Sequence, residues 1–155
     1  QGFKDHRVFS NYGIILKDVG KLKEAELSFR KAIEIKPDYA EAYSNLGNIL
    51  KDLGKLEDAE ISYRKAIEIK PDYAEAYSNL GNILKDLGKL EDAEISYRKA
   101  IKIRPNYADA YCNLGVLLRI LGKSQDARLC SEKIMSLRSW SILGSYSFNA
   151  EMKLD

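Results

Sequence analysis

An asparagine stands at one recurring place in this chain, as Asn11, Asn45, Asn79 and Asn113, always 34 residues apart. Asparagine is a poor helix former, so its return inside what otherwise reads as a helix needs a reason. Each amide carries both donors and an acceptor. A spaced row of them could hold the backbone of an extended peptide with little regard for its sequence. The same row could instead hydrogen-bond a neighbouring helix and only fix the stacking, and the residues alone leave both readings open. Flanking columns share the spacing: Ser10, Ser44, Ser78 and Cys112; Ile14, Asn48, Asn82 and Val116; Arg7, Glu41, Glu75 and Asp109. Lys17, Lys51, Lys85 and Arg119 form another column, beside Asp18, Asp52, Asp86 and Ile120. The lysine–aspartate columns read as a solvated, mutually neutralising face, since exposed ion pairs contribute little. The candidate binding set is Asn11, Asn45, Asn79, Asn113, Asn48, Asn82, Ser44, Ser78, Lys51 and Lys85.

No other constellation suggests chemistry. His6 is the only histidine and stands alone near the start. The carboxylates recur with the period and belong to the scaffold. No glycine-rich phosphate loop and no metal-ligand spacing is visible, so the chain reads as non-catalytic, without cofactor or metal. Cys112 and Cys130 read as small apolar residues in a reducing, cytoplasmic compartment, with a disulfide as the alternative.

These columns exist because the chain repeats. Residues 40–73 return as 74–107 with only Glu68, Lys70 and Asp72 changed, to Lys102, Arg104 and Asn106. A looser copy spans 6–39 and a decayed one 108–139. A fixed period of this size marks a stacked array, in which each unit buries its apolar faces against its neighbours. Within one copy, Tyr43, Leu46, Ile49, Leu50 and Leu53 follow helical spacing. Gly54 suits a left-handed helix end. A second helix begins near Leu56, has acidic Glu57, Asp58 and Glu60 in its first turn, and ends before Pro71. Asp72 with Glu75 resembles a capping box for the next copy. The short turn makes each pair antiparallel. Gly13, Gly47, Gly81 and Gly115 fall inside helices, where glycine costs ~1 kcal/mol. Close approach of the partner helix is the expected reason, with Ala25, Ala59, Ala93 and Ala127 opposite. Phe9, Tyr43, Tyr77 and Tyr111, and Phe29, Tyr63 and Tyr97, are expected to fill the space between hairpins as core.

The pattern resembles the tetratricopeptide repeat: Tyr43, Leu46, Gly47, Leu50, Ala59, Tyr63, Ala66 and Pro71 match it. So do Tyr77, Leu80, Gly81, Leu84, Ala93, Tyr97, Ala100 and Pro105, and, in the first copy, Phe9, Tyr12, Gly13, Leu16, Ala25, Phe29, Ala32 and Pro37. The fourth copy keeps Tyr111, Leu114, Gly115, Leu118 and Ala127, but has Ser131, Ile134 and Ser139 where an aromatic, an alanine and a proline are expected. The resemblance implies an all-α, right-handed superhelical solenoid of helix-turn-helix units whose first helices line a concave groove. The AYSNLGN segments are similar to repeats of the O-linked N-acetylglucosamine transferases, where an asparagine ladder holds polypeptides. That implies a peptide- or protein-binding scaffold. Chaperone-binding members clamp a terminal carboxylate with cations. Here the corresponding positions carry Ser10, Ile14, Asn45, Glu75 and Asn79, which implies no tight binding of acidic chaperone tails.

The alternatives are a self-associating array, stacking end to end as a homo-oligomer, and the substrate-recruiting arm of a larger transferase. Charged residues make up 31% of the chain but the net charge is +2, mixed in sign throughout, so neither nucleic acid nor membrane is an expected partner. No apolar run approaches the ~18 residues of a membrane span. Residues 1–5 read as the remnant of a preceding segment, in a piece of a longer array that lacks the helix covering its first repeat. Residues 140–155 read as a short capping helix over the last repeat, or as the start of a further region.

Overall fold

The computed structural model describes residues 5–151, with side chains described through residue 137. Among these, all regular structure is helical: α1 (His6–Asp18), α2 (Leu22–Ile35), α3 (Ala40–Asp52), α4 (Leu56–Ile69), α5 (Ala74–Asp86), α6 (Leu90–Ile103), α7 (Ala108–Ile120) and α8 (Ser124–Glu151). The hairpins α1–α2, α3–α4, α5–α6 and α7–α8 stack in sequence order.

Local chemistry ends each helix. Gly20, Gly54, Gly88 and Gly122 take positive φ of 73–78°. In the second repeat Gly54 N–H donates to the Lys51 carbonyl at 2.9 Å and Lys55 N–H to the Leu50 carbonyl at 2.8 Å. This pair of bonds satisfies helix-end carbonyls, and glycine supplies it without a Cβ penalty. Before each proline the backbone is extended, as at Lys70 (φ −130°) and Arg104 (φ −127°). Where Ser139 replaces proline, α8 runs on to Glu151 as one helix. The segment expected as a separate cap at 140–155 thus begins as a continuation of α8, and its side chains lie outside the described residues.

Two local expectations are corrected. Asp72 and Glu75 form no capping box: Tyr73 occupies the N-cap of α5 and no side chain caps it. That tyrosine is held between repeats, with Lys70 4.8 Å above its ring centre and a hydrogen bond shared with Ser44. The helical glycines of the first three repeats face an aromatic ring and not alanine. A Cβ on Gly47 would stand 2.8 Å from the Tyr63 ring, and one on Gly13 would stand 2.9 Å from Phe29. Phe29, Tyr63 and Tyr97 are therefore buried inside their own hairpins, not between hairpins. Tyr43, Tyr77 and Tyr111 are only half-buried.

Between repeats the core is aliphatic, with Leu46, Ile49, Leu50, Leu80, Ile83, Leu84, Leu114, Leu117 and Leu118 in one continuous cluster. On its outer side the stack carries an ionic ladder. Lys55 Nζ reaches Glu26 at 2.8 Å, Lys89 reaches Glu60 at 2.7 Å and Lys123 reaches Glu94 at 2.8 Å. Each glutamate also takes an arginine from its own helix, Arg30, Arg64 or Arg98. Partial burial alone would raise the Glu26 and Glu60 carboxyls, but the hydrogen bonds from the cations outweigh it and hold both low. For Glu94 the Lys123 hydrogen bond is the largest influence, and it too is lowered. Groups whose folded pKa lies below the unfolded value stabilise the fold above that value and lose the contribution as pH falls through the folded one. The unfolded reference is 4.5. Thermal midpoints recorded downwards from about pH 5 are therefore expected to fall. The fall should be shallower in E26Q/E60Q/E94Q, and equal slopes would remove the ladder as its cause.

Candidate functional site

First helices touch one another along the stack: α1 meets α3, α3 meets α5 and α5 meets α7. Among the described residues no second helix packs its backbone against the next second helix, although Arg98 of α6 reaches Asp126 of α8 at 3.7 Å. Elements that stay in contact lie on the inside of a bend and those that separate lie outside, so the first helices line the concave side. The first helices carry the predicted columns, and at one junction a pair of asparagine side chains links neighbouring first helices. Asn79 Nδ2 donates to Asn48 Oδ1 at 3.5 Å, across the α3–α5 junction.

The structure sorts the predicted residues into three groups. Asn45, Asn79 and Asn113 are half-buried and Asn11 is exposed. No hydrogen bond engages the Asn11, Asn45 or Asn113 amides within the described chain, and no buried side-chain polar atom described lacks a partner. These amides are therefore within reach of solvent. For Asn45 the reason is visible: the position that Asn48 offers to Asn79 is Ile14 one repeat earlier.

A second group turns inward. Ser44 and Ser78 are 4% and 1% exposed and share hydrogen bonds with the hydroxyls of Tyr73 and Tyr107, the N-cap residues of α5 and α7. They hold repeats together and present no hydroxyl to the groove. Asn48 and Asn82 are half-buried, and each accepts at Oδ1 from a buried tyrosine, Tyr63 or Tyr97, at 2.7 Å. Burial, then the negative field of Asp52 or Asp86, pushes both phenols well above their ordinary value. Both phenols therefore stay protonated, and remain donors, at neutral pH.

The third group is charged. Lys51 lies 3.7 Å from Asp52 and Lys85 lies 3.5 Å from Asp86, the self-neutralised pattern expected. At the fourth repeat Ile120 takes the aspartate's place, so Arg119 has no such neighbour. Near the helix starts, Glu75 pairs with Arg104 and Glu41 with Lys70.

Sequence reading missed a second set of concavities, between successive second helices. The slot between α2 and α4, about 450 Å³, has Tyr43 and Leu46 as floor and Arg30, Ile61 and Arg64 as walls. The α4–α6 slot, about 520 Å³, repeats it with Tyr77, Leu80 and Ile95. The signal was present: Leu27, Ile61, Ile95 and Leu129 recur at the repeat spacing on an otherwise charged face, and all are exposed.

Cys112 and Cys130 are free thiols, one exposed and one buried. Among the described residues no group of three or more His, Cys, Asp and Glu could hold a metal, and no helix is long and apolar enough to cross a membrane.

Family models described as TPR repeat match residues 13–54, 47–88 and 81–122, and one described as tetratricopeptide repeat matches 108–139. The chain belongs to the tetratricopeptide repeat family. Solved TPR-like structures align over most of it. A crystal structure of MamA is 24% identical, with TM-score 0.84, over 90% of this chain and 81% of that one. The first TPR of Spaghetti (RPAP3), solved bound to the HSP90 peptide SRMEEVD, is 25% identical with TM-score 0.74, over 76% of this chain and 94% of its own. A comparison with curated proteins gives no match. TPR units are generally non-catalytic interaction scaffolds.

Proposed function

We propose that this TPR array binds an extended peptide, or an extended segment of a partner protein, along its concave wall. The observation that carries the reading is the row of inward-facing amides, Asn11, Asn45, Asn79 and Asn113. Three of the four have no hydrogen-bond partner among the described residues, although polar groups elsewhere in the described interior are satisfied. A solved TPR neighbour that holds a peptide supports the same use of the fold. The stacking role weighed for the asparagines belongs mainly to Asn79, through Asn48.

The test is a peptide-array screen with the parent protein and N45A/N79A. Losing two sets of amide contacts should weaken capture by about tenfold or more, at roughly 1 kcal/mol per hydrogen bond. The thermal midpoint should fall by no more than the one long Asn79–Asn48 bond contributes, about 1 kcal/mol or less, because the Asn45 amide bonds nothing in the fold. A large fall in stability with unchanged capture would return the asparagines to a purely structural role.

A second reading has its own observation. Val8, Tyr12, Ile15 and Val19 form an exposed stripe on α1, at positions whose equivalents in α3 are Ala42, Leu46, Ile49 and Leu53. Self-association through this stripe predicts a mass that rises with concentration and is held at the monomer value by V8K/I15K.

A further inference from the structure

The inner wall is not uniform along its length, and the variation is coupled to the hydroxyls buried beneath it. At one groove position the four repeats carry Ile14, Asn48, Asn82 and Val116. The second-helix residue at the matching place beneath runs Phe29, Tyr63, Tyr97 and Ser131. An amide appears on the wall only where a phenol lies below it, and the two are joined at 2.7 Å in both cases. Where the ring lacks a hydroxyl, or is replaced by serine, the wall residue is aliphatic, with Ile14 42% and Val116 38% exposed.

The phenol does more than fill space. In the interior its proton needs an acceptor, since an unmet buried donor is costly. Only the carbonyl oxygen of the amide can supply one, so the tyrosine fixes which way the amide is turned. Oδ1 points inward, and at Asn48 it also takes the Asn79 amide. What remains for the groove is the Nδ2 group, a donor without an acceptor. The wall at this position therefore reads, from the first repeat to the fourth, aliphatic, donor, donor, aliphatic. The flanking Lys51 and Lys85 are already matched by Asp52 and Asp86 and ask for no charge from a ligand.

From this we infer that the groove takes an uncharged extended segment with aliphatic side chains near both ends and hydrogen-bond acceptors between them, and that Tyr63 and Tyr97 are positioning residues for that recognition. The inference rests on the groove reading above and names its ligand class. Touching helices lie roughly 8–10 Å apart, and an extended chain advances ~3.3 Å per residue. Each repeat thus spans about three ligand residues, and the two aliphatic sites stand about nine residues apart.

The probes are two acetylated, amidated peptides of identical composition, fluorescently labelled for anisotropy titration. One has leucine at both ends of a serine–glutamine stretch about ten residues long, as the spacing requires. The other has both leucines at its centre. An acidic peptide of the same length is the third arm. The parent protein should bind the end-leucine peptide about fivefold or more tighter than either of the others, the worth of one or more satisfied hydrogen bonds. Y63F/Y97F frees Oδ1 and lets the amides turn, so it should lose about that factor for the end-leucine peptide. Phe29, already seated over Gly13, shows that the ring without its hydroxyl fits the fold.

A variant that copies the first repeat, N48I/Y63F/N82I/Y97F, separates recognition from stability. It keeps ring and wall matched, makes the wall aliphatic at all four repeats, and should abolish the preference between the two isomers. Equal affinity of the parent for the two isomers, tighter binding of the acidic peptide, or an unchanged preference in the four-substitution variant would overturn the inference. If none of the three probes binds the parent while the array screen yields other ligands, the ligand class named here is wrong and the groove remains. If the array also yields nothing, the groove reading itself fails.

Discussion

Gly81→Ala is expected to lower the thermal midpoint by about 5 °C, on the scale of 2–4 °C per kcal/mol for a chain of this size. The added Cβ would stand 2.6 Å from Tyr97 Cε1 and 2.7 Å from its Cδ1, inside any normal carbon contact. Tyr97 cannot easily give way: it is fully buried, and its hydroxyl is tied to Asn82 at 2.7 Å. Sliding the ring aside either breaks that bond or forces α6 away from α5. Overpacking of this kind costs ~1–3 kcal/mol, and the broken bond about 1 more. Against it stands the ~1 kcal/mol that alanine gains over glycine within a helix. The loss wins. Gly47→Ala, 2.8 Å from the Tyr63 ring, should behave alike. Gly115→Ala is the internal control. Serine replaces the aromatic in that repeat, and the nearest atoms to the added carbon are Cys130 Cβ at 3.3 Å and the Ala127 carbonyl at 3.7 Å. A small outward shift relieves that contact, so the gain in helix propensity should leave stability within about 1 kcal/mol of the parent. Differential scanning calorimetry of the three variants decides the matter, and equal losses at Gly81 and Gly115 would mean that the aromatic ring is not the constraint.

That glycine also shows where sequence reading stops. Its need for a close neighbour was legible, because glycine in a helix interior is costly and here recurs. Which neighbour it needs was not. Ala59 and Tyr63 lie one helical turn apart on the same face of α4, so spacing alone puts either within reach of Gly47. The choice depends on how far the two helices slide along each other. The same holds on the inner wall. Ser44 and Asn45 are adjacent polar residues, and both read as groove positions. Only the arrival of Tyr73, at the N-cap of α5, takes Ser44 inward and leaves Asn45 in the open. The helix boundaries were readable from local chemistry, since a left-handed Gly54 and a proline at residue 71 act on their immediate neighbours. Tyr73 at the N-cap was missed because its reason is tertiary. The ring is gripped between repeats, and that contact displaces the side-chain cap that Asp72 would have supplied.

The dependence of each repeat on the one before it carries the other large effect. Ile83→Ala is expected to cost ~2–5 kcal/mol, as buried aliphatic truncations do, whereas Ile15→Ala should cost less than about 0.5 kcal/mol, as exposed substitutions do. The two isoleucines occupy the same place in the repeat, two periods apart. Ile83 is 0% exposed and Ile15 is 58% exposed. What differs is the hairpin that precedes each: α5 has α4 packed against it, and α1 has no such neighbour among the described residues. The side chain is the same and the two helices have the same length and register, so most of the difference in cost reports the interface between repeats and not the stability of the hairpin itself. An array of this kind is held together by terms between nearest neighbours, and Ile49→Ala, at 0% exposure against α2, should match Ile83→Ala. Urea unfolding of the three variants gives the comparison directly. If Ile15→Ala cost as much as Ile83→Ala, burial within the single hairpin would be the main source of stability, and the picture of helices cemented by their predecessors would fail.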